Sequence, residues 1–177
     1  MDPLNLIKTR RSIRRYLDKS VSNELIEKII NAARFTPSAH NKQPWKFIVT
    51  RDDQKLKELS ESSNYASFLS SAPVAIIVCA DYKNSQQREA ANEHFVEYFC
   101  IQDTAAAIQN ILLAAHGLGL GTCWIGDYSE EQLSEMFDIQ EPYYPVGIIS
   151  LGFTDKNPAT PKRKSLDEVL CYEKFNK

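Results

Sequence analysis

Apolar residues along this 177-residue chain fall into short blocks whose spacing changes from block to block. Between Ser22 and Arg34, Leu25, Ile26, Ile29, Ile30 and Ala33 recur at helical spacing, with Ser22 placed as the N-cap. From Trp45 to Thr50, Trp45, Phe47 and Val49 alternate with Lys46, Ile48 and Thr50, which predicts a strand. Asp52 then caps a short helix carrying Leu56 and Leu59. Val74 to Ala80 is a continuous apolar run and predicts a strand buried on both faces. Residues 81–99 are polar and charged until Phe95, Tyr98 and Phe99, as for a loop followed by a helix. Ser129-Glu130-Glu131-Gln132 is a capping box opening a helix through Phe137, and Tyr144 to Gly152 predicts a further strand.

Ile101 to His116 differs in kind, because alanines and aliphatics occupy nearly every face of the predicted helix. A helix apolar all round has to be covered all round. It either sits at the centre of the core or has its far side covered by a second subunit. Gly117-Leu118-Gly119-Leu120-Gly121 ends it and leads into Thr122-Cys123-Trp124-Ile125-Gly126. This glycine run follows a helix and precedes a strand, the reverse of a dinucleotide-binding fingerprint, so it reads as helix termination. Few strands separated by helices predict one domain over residues 1–177, built as a small mixed sheet covered by helices.

Composition changes this picture little. Hydrophobic residues make up 43% and charged residues 25%, ordinary for a globular chain with a sizeable core. The formal net charge of −2 makes any basic cluster a local feature. No apolar run is long enough to span a bilayer, and the N-terminus lacks a signal-peptide core, so a cytoplasmic location is expected. Cys79, Cys100, Cys123 and Cys171 show no CxxC and no metal-like spacing to His40, His94 or His116, as for reduced thiols.

Chemistry concentrates at Arg10-Arg11-Ser12-Ile13-Arg14-Arg15. Asp2-Pro3 opens a short helix before it. If that helix ends near Arg10 and the chain runs on extended, period two puts Arg10, Ser12 and Arg14 on one face. Two guanidinium forks beside a hydroxyl grip a phosphate well, although a solvated basic turn would have the same composition. Pro161-Lys162-Arg163-Lys164 is a second basic cluster, and Pro37 and Pro44 bracket a polar loop. Phosphate-loop, GxSxG and HExxH motifs are absent from the sequence.

Taken in order, these pieces resemble the FMN-dependent nitroreductase family over nearly the whole chain. Arg10-Arg11-Ser12-Ile13-Arg14 resembles its flavin-phosphate signature, and Pro37 to Trp45 resembles its PSxxNxQPW segment. Gln109 to Ala115 with the following Gly-Leu-Gly resembles its central helix. Trp124-Ile125-Gly126 and the basic cluster before Leu166-Asp167-Glu168-Val169 complete the set. The resemblance implies an α+β fold: a three-layer α/β/α sandwich with a mainly antiparallel sheet. It also implies a homodimer with two FMN at the subunit interface. Arg10, Ser12 and Arg14 would hold the phosphate, ribityl and pyrimidine end of FMN, and Lys162 and Lys164 would close on the phosphate. Pro37, Ser38 and Asn41 would come from the partner subunit, and Asn64 would reach the pyrimidine edge. Trp124, Ile125 and Gly126 would lie along the isoalloxazine, with a backbone N–H near N5; Trp124 as an ordinary core aromatic is the alternative.

In such an enzyme the flavin carries the chemistry and no catalytic side chain is needed. NADH or NADPH would reduce FMN and leave, and a nitroaromatic, quinone or similar oxidant would then take its place, giving ping-pong kinetics. Relatives on this fold also reduce enones, remove halogens or carry flavin. Residues 81–99 would fall where the family varies a lid. A non-redox module that binds a polyanion through its arginines is the rival from another class, and its mark would be steep salt dependence without any need for flavin.

Overall fold

The computed structural model describes residues 2–63, 65–85 and 93–175. Among the described residues, six α-helices and four strands are interspersed. They are α1 (Pro3–Thr9), α2 (Asn23–Ala33), β1 (Trp45–Thr50), α3 (Asp53–Glu61) and β2 (Val74–Asp81). After these come α4 (Tyr82–Ser85), α5 (Glu93–Gly117), β3 (Leu120–Ile125), α6 (Glu130–Phe137) and β4 (Tyr143–Phe153). The strands form one sheet in the order β1-β2-β4-β3, with every neighbouring pair antiparallel. The only parallel pairing described is a bridge between Ser12 and Thr122, which sets the N-terminal segment along β3.

Alternation along β2 divides the core in two. Val74, Ile76 and Val78 pack with Ile26, Ile29 and Ala33 of α2 and with Ile108, Ile111 and Ala115 of α5. Ala75, Ile77 and Cys79 face Leu56 and Leu59 of α3 and Leu133 of α6. Helices thus cover both sheet faces, and the α/β/α layering expected from the sequence is present. Pro145 lies within β4 without breaking the sheet, because the β2–β4 register shifts there between Val78 and Cys79.

Helix signals in the sequence were accurate at the N-caps. Asp2 accepts from Leu4 and Asn5 N–H groups, and Ser22, Asp52 and Ser129 each cap the helix they precede. The long helix is longer than its apolar stretch, beginning at Glu93. It is also not covered all round within one chain. Ala107, Ile108, Ile111, Leu112 and Ala115 are buried, whereas Ile101 and Gln109 are exposed and Ala105, Ala106 and Leu113 are half-buried.

Four hydrogen bonds tie the N-terminal segment to the β3–β4 side of the sheet. Ile13 N–H donates to Thr122 O and Leu17 N–H to Phe153 O, each at 2.8 Å. Thr154 Oγ1 donates to Arg15 O at 2.9 Å. Tyr16 OH donates to Ile13 O at 2.7 Å and lies 2.5 Å from Ser150 Oγ in the buried sheet. Tyr16→Phe is expected to cost about 1–2 kcal/mol of stability, because Ser150 and Ile13 O lose a partner in a dry site. Urea unfolding measures this, and an unchanged midpoint would show that the hydroxyl does not anchor the segment.

Candidate flavin site

Helix α1 stops at Thr9, and Arg10 takes an extended backbone with φ −58° and ψ 136°. From there the side chains alternate. Ile13 turns inward and is buried against Gly121. Arg11 turns away and hydrogen-bonds Lys8 O, Arg10 O and Thr160 Oγ1. Arg10, Ser12 and Arg14 all act on one group, the thiol of Cys123 in β3. Burial pushes that thiol up, while the guanidinium of Arg14, a hydrogen bond from Ser12 and the charge of Arg10 pull against it. With Ile13 buried and its N–H bonded to Thr122 O, the two-residue period of an extended segment sets Arg10, Ser12 and Arg14 on the side opposite Ile13.

The cluster is cationic. Burial lowers the Arg10 pKa first, and the neighbouring charges of Arg11 and Arg163 lower it further. None of the groups acting on Arg10 is a carboxylate. Arg14 also places its guanidinium 5.9 Å from the centre of the Phe68 ring. On the Arg11 side of the segment a cleft of about 200 Å³ is lined by Arg10, Arg11, Ile13, His116, Thr122 and Lys156, and by neither Ser12 nor Arg14. Several guanidinium groups and a hydroxyl are the donor set that a phosphate monoester needs. The residues present fit the phosphate end of FMN.

Lys162, Arg163 and Lys164 are all exposed, and the charge of Arg163 acts on Arg10. Nothing in the spacing of Lys162-Arg163-Lys164 singled out the central residue, since a chain segment without regular structure has no fixed side-chain period.

Trp124 is 41% exposed, so it is not an ordinary core aromatic. Its indole Nε1 lies over Gly147, where an added Cβ would come within 2.7 Å. Trp124 and Cys123 point to opposite faces of β3, so the indole is not on the arginine face. Ile125 is buried in the core beside Leu133, leaving only its backbone for a ligand. Gly126 is open, with nothing within 4 Å of a would-be Cβ. Ser63 donates to Asp127 at 2.9 Å on this side of the molecule. Asn64 lies outside the described residues.

Pro37, Ser38 and Asn41 are not brought to the arginines of their own chain. Their loop is held at the other end of α5, where Ala39 N–H donates to Asp103 at 3.1 Å. Between Asp103 and His116, which lines the Arg10 cleft, α5 rises about 20 Å. The loop is strained, with left-handed φ at His40, Asn41 and Gln43 of 51°, 55° and 52°. Ser38 Oγ accepts from Gln43 N–H at 2.9 Å and helps to hold it. Pro37 and Asn41 face solvent, available to another molecule.

His116 was missed as a neighbour of the cluster. Thr9 Oγ1 donates to Asn5 O at 2.7 Å and lies 2.9 Å from His116 Nε2, so the imidazole is the donor to Thr9. Burial lowers its pKa first, followed by the charges of Arg10 and Arg11. With the folded value below the unfolded one, its contribution to stability is present above the unfolded pKa of about 6.5 and is lost as pH falls through the folded value. His116→Gln should therefore flatten the loss of melting temperature on acidification below neutrality. Parallel melting curves for the two proteins would remove His116 from that linkage.

Comparison with known proteins identifies the family of the chain. The sequence profile described as the nitroreductase family matches residues 7–64 and 60–153. A Methanothermobacter thermautotrophicus protein with the provisional name NADH dehydrogenase/NAD(P)H nitroreductase is 45% identical over 90% of this chain and 81% of its own length. A Bacillus subtilis FMN reductase [NAD(P)H] is 27% identical over 93% of this chain and 71% of its own. The solved structure of a provisionally named nitroreductase from Desulfovibrio desulfuricans in complex with FMN superposes with a TM-score of 0.85 at 33% identity, covering 99% of both chains. With the profile and the fold in agreement from end to end of the sheet, the chain belongs to the nitroreductase family.

Proposed function

We propose that this nitroreductase-family protein is an NAD(P)H-dependent oxidoreductase that binds FMN through Arg10, Ser12 and Arg14 and reduces nitroaromatic, quinone or similar small oxidised substrates. The observation that carries this is the extended segment that sets Arg10, Ser12 and Arg14 opposite the buried Ile13, with the charges of Arg11 and Arg163 also acting on Arg10. When bound, FMN supplies the redox chemistry, accepting hydride from NADH or NADPH and passing reducing equivalents to the oxidant. Arg10 and Arg14 balance the phosphate charge, and Ser12 donates to it. Lys162 and Lys164, exposed beside Arg163, strengthen the positive field on that side. The backbone of Ile125 and Gly126 borders the flavin where no side chain intrudes.

The working unit in this proposal is a homodimer. Pro37, Ser38 and Asn41 sit too far from the arginines of their own chain to share one flavin with them, but a partner's loop can. Apolar surface supports the same arrangement. Leu4 and Ile7 of α1 and Ile101 of α5 are exposed, and the C-terminal arm presents Leu166 at 75% exposure and Phe175 at 88%. A second subunit would give these uncovered apolar groups something to pack against.

Steady-state kinetics of the FMN-loaded protein with NADH or NADPH and menadione or a nitrofuran tests the proposal. Parallel double-reciprocal lines are expected, because donor and oxidant use one place in turn. Intersecting lines would require separate sites and contradict it. Failure of every donor to reduce the protein would favour a flavin carrier.

A further inference from the structure

Arg11 lies inside the arginine-rich segment yet turns away from the face that Arg10, Ser12 and Arg14 share. Its Nη1 donates to Lys8 O at 2.7 Å and to Arg10 O at 2.8 Å. Its Nη2 donates to Thr160 Oγ1, on the exposed C-terminal arm. The guanidinium thus spans from the end of α1 to a segment about 150 residues later in the chain, with |i−j| of 149. From Pro158 to Leu170 the other hydrogen bonds described are local, joining Ser165 to Glu168, Glu168 to Ser165, and Val169 and Leu170 to Leu166. The contact with Arg11 is therefore the described hydrogen bond that fastens this stretch to the body.

Lys156, Asn157 and Pro158, at the start of the arm, line the cleft beside Arg10 and Arg11, and three residues beyond Thr160 comes Arg163, whose charge also acts on Arg10. Left to electrostatics, an exposed segment bearing Lys162, Arg163 and Lys164 would swing away from Arg10, Arg11 and Arg14. Something has to hold it there, and a dianion placed between the clusters would turn repulsion into attraction. We infer that Arg11 and Thr160 form a latch that sets the C-terminal basic cluster on the phosphate side of the cofactor site. Both are positioning residues: Arg11 spends its Nη donors on protein oxygens, and the cations it brings in meet the ligand. The inference rests on the FMN reading above.

A consequence is that the latch serves the phosphate and not the flavin ring. Losing it should weaken FMN while sparing riboflavin, which has the same ring and ribityl chain without the phosphate. Thr160→Val removes the acceptor at nearly constant shape on an exposed segment, and Thr160→Ser restores it. Apoprotein of the three sequences is titrated with FMN and with riboflavin, following quenching of flavin fluorescence. For Thr160→Val the FMN Kd should rise about tenfold, as for loss of one charge-assisted contact, with the riboflavin Kd unchanged and Thr160→Ser behaving as wild type. An unchanged FMN Kd, or equal losses for both flavins, would overturn the latch as a phosphate-positioning device. Trypsin treatment of the flavin-free proteins reads the latch without any ligand, since Lys162, Arg163 and Lys164 are its targets. Thr160→Val should be cut there several times faster than wild type, and equal rates would overturn the latch. Wild type that binds neither flavin would instead refute the cofactor assignment, a result distinct from either of these.

Discussion

Replacing Arg10 and Arg14 together by alanine is expected to yield a folded, colourless protein whose affinity for FMN has fallen at least a hundredfold. Each guanidinium–phosphate contact is a charge-assisted hydrogen bond worth about 1.5–3 kcal/mol. Two lost contacts amount to at least about 3 kcal/mol, or two powers of ten in Kd. The fold should survive, because the segment is anchored by other groups. Ile13 remains buried, its N–H still donates to Thr122 O, and Tyr16 still reaches Ser150. Relief of the repulsion between Arg10, Arg11 and Arg163 would even favour the apoprotein slightly. Circular dichroism checks the fold and the visible spectrum checks the cofactor. Stoichiometric FMN in the double variant would show that the phosphate lies elsewhere.

Gly121→Ala is expected to damage the same site from behind, without touching a ligand-binding group. A Cβ at Gly121 would lie 2.8 Å from both Cγ atoms of Ile13 and 2.9 Å from its Cβ. Ile13 is branched next to its backbone and cannot swing aside, so its segment has to lift off β3. Overpacking of this kind costs about 1–3 kcal/mol. Ser12 and Arg14 flank Ile13, so the lift should carry them off Cys123 and weaken FMN about tenfold, as for one lost charge-assisted contact. Ile13→Ala supplies the control. In the Gly121→Ala background it removes the collision, and FMN affinity should recover even though buried area is lost. Non-additivity of this sort marks two groups in contact. Full FMN affinity in Gly121→Ala alone would mean that the segment does not need its close approach to β3.

Much of this architecture could be read from the chain, and the exceptions have physical causes. Caps at Asp2, Ser22, Asp52 and Ser129 are local devices, so four helix starts were legible without any tertiary information. The Val74–Ala80 run is buried from both sides, and its continuous apolarity announced it. The Arg10–Ser12–Arg14 face was legible because period two follows from an extended backbone alone. The charge of Arg163 on Arg10 was not, because Lys162-Arg163-Lys164 lies in an arm without regular structure, where spacing fixes no side-chain face. Nor did the sequence disclose Phe68 under Arg14 or His116 beside Thr9, contacts between residues far apart in the chain. The sequence marked Ile101 to His116 as apolar nearly all round, and within one chain Ile101 is exposed and Ala105, Ala106 and Leu113 are half-buried. Sequence alone left their cover undetermined.

The central claim, that the arginine cluster holds a redox-active flavin, is tested most directly by the visible spectrum of the purified protein under anaerobic conditions. A flavin band should be present, or appear on adding FMN, and should bleach when NADH or NADPH is added. Re-oxidation by a quinone or nitroaromatic should then restore it. A protein that stays colourless with excess FMN would contradict the account and return Arg10, Ser12 and Arg14 to some other anion.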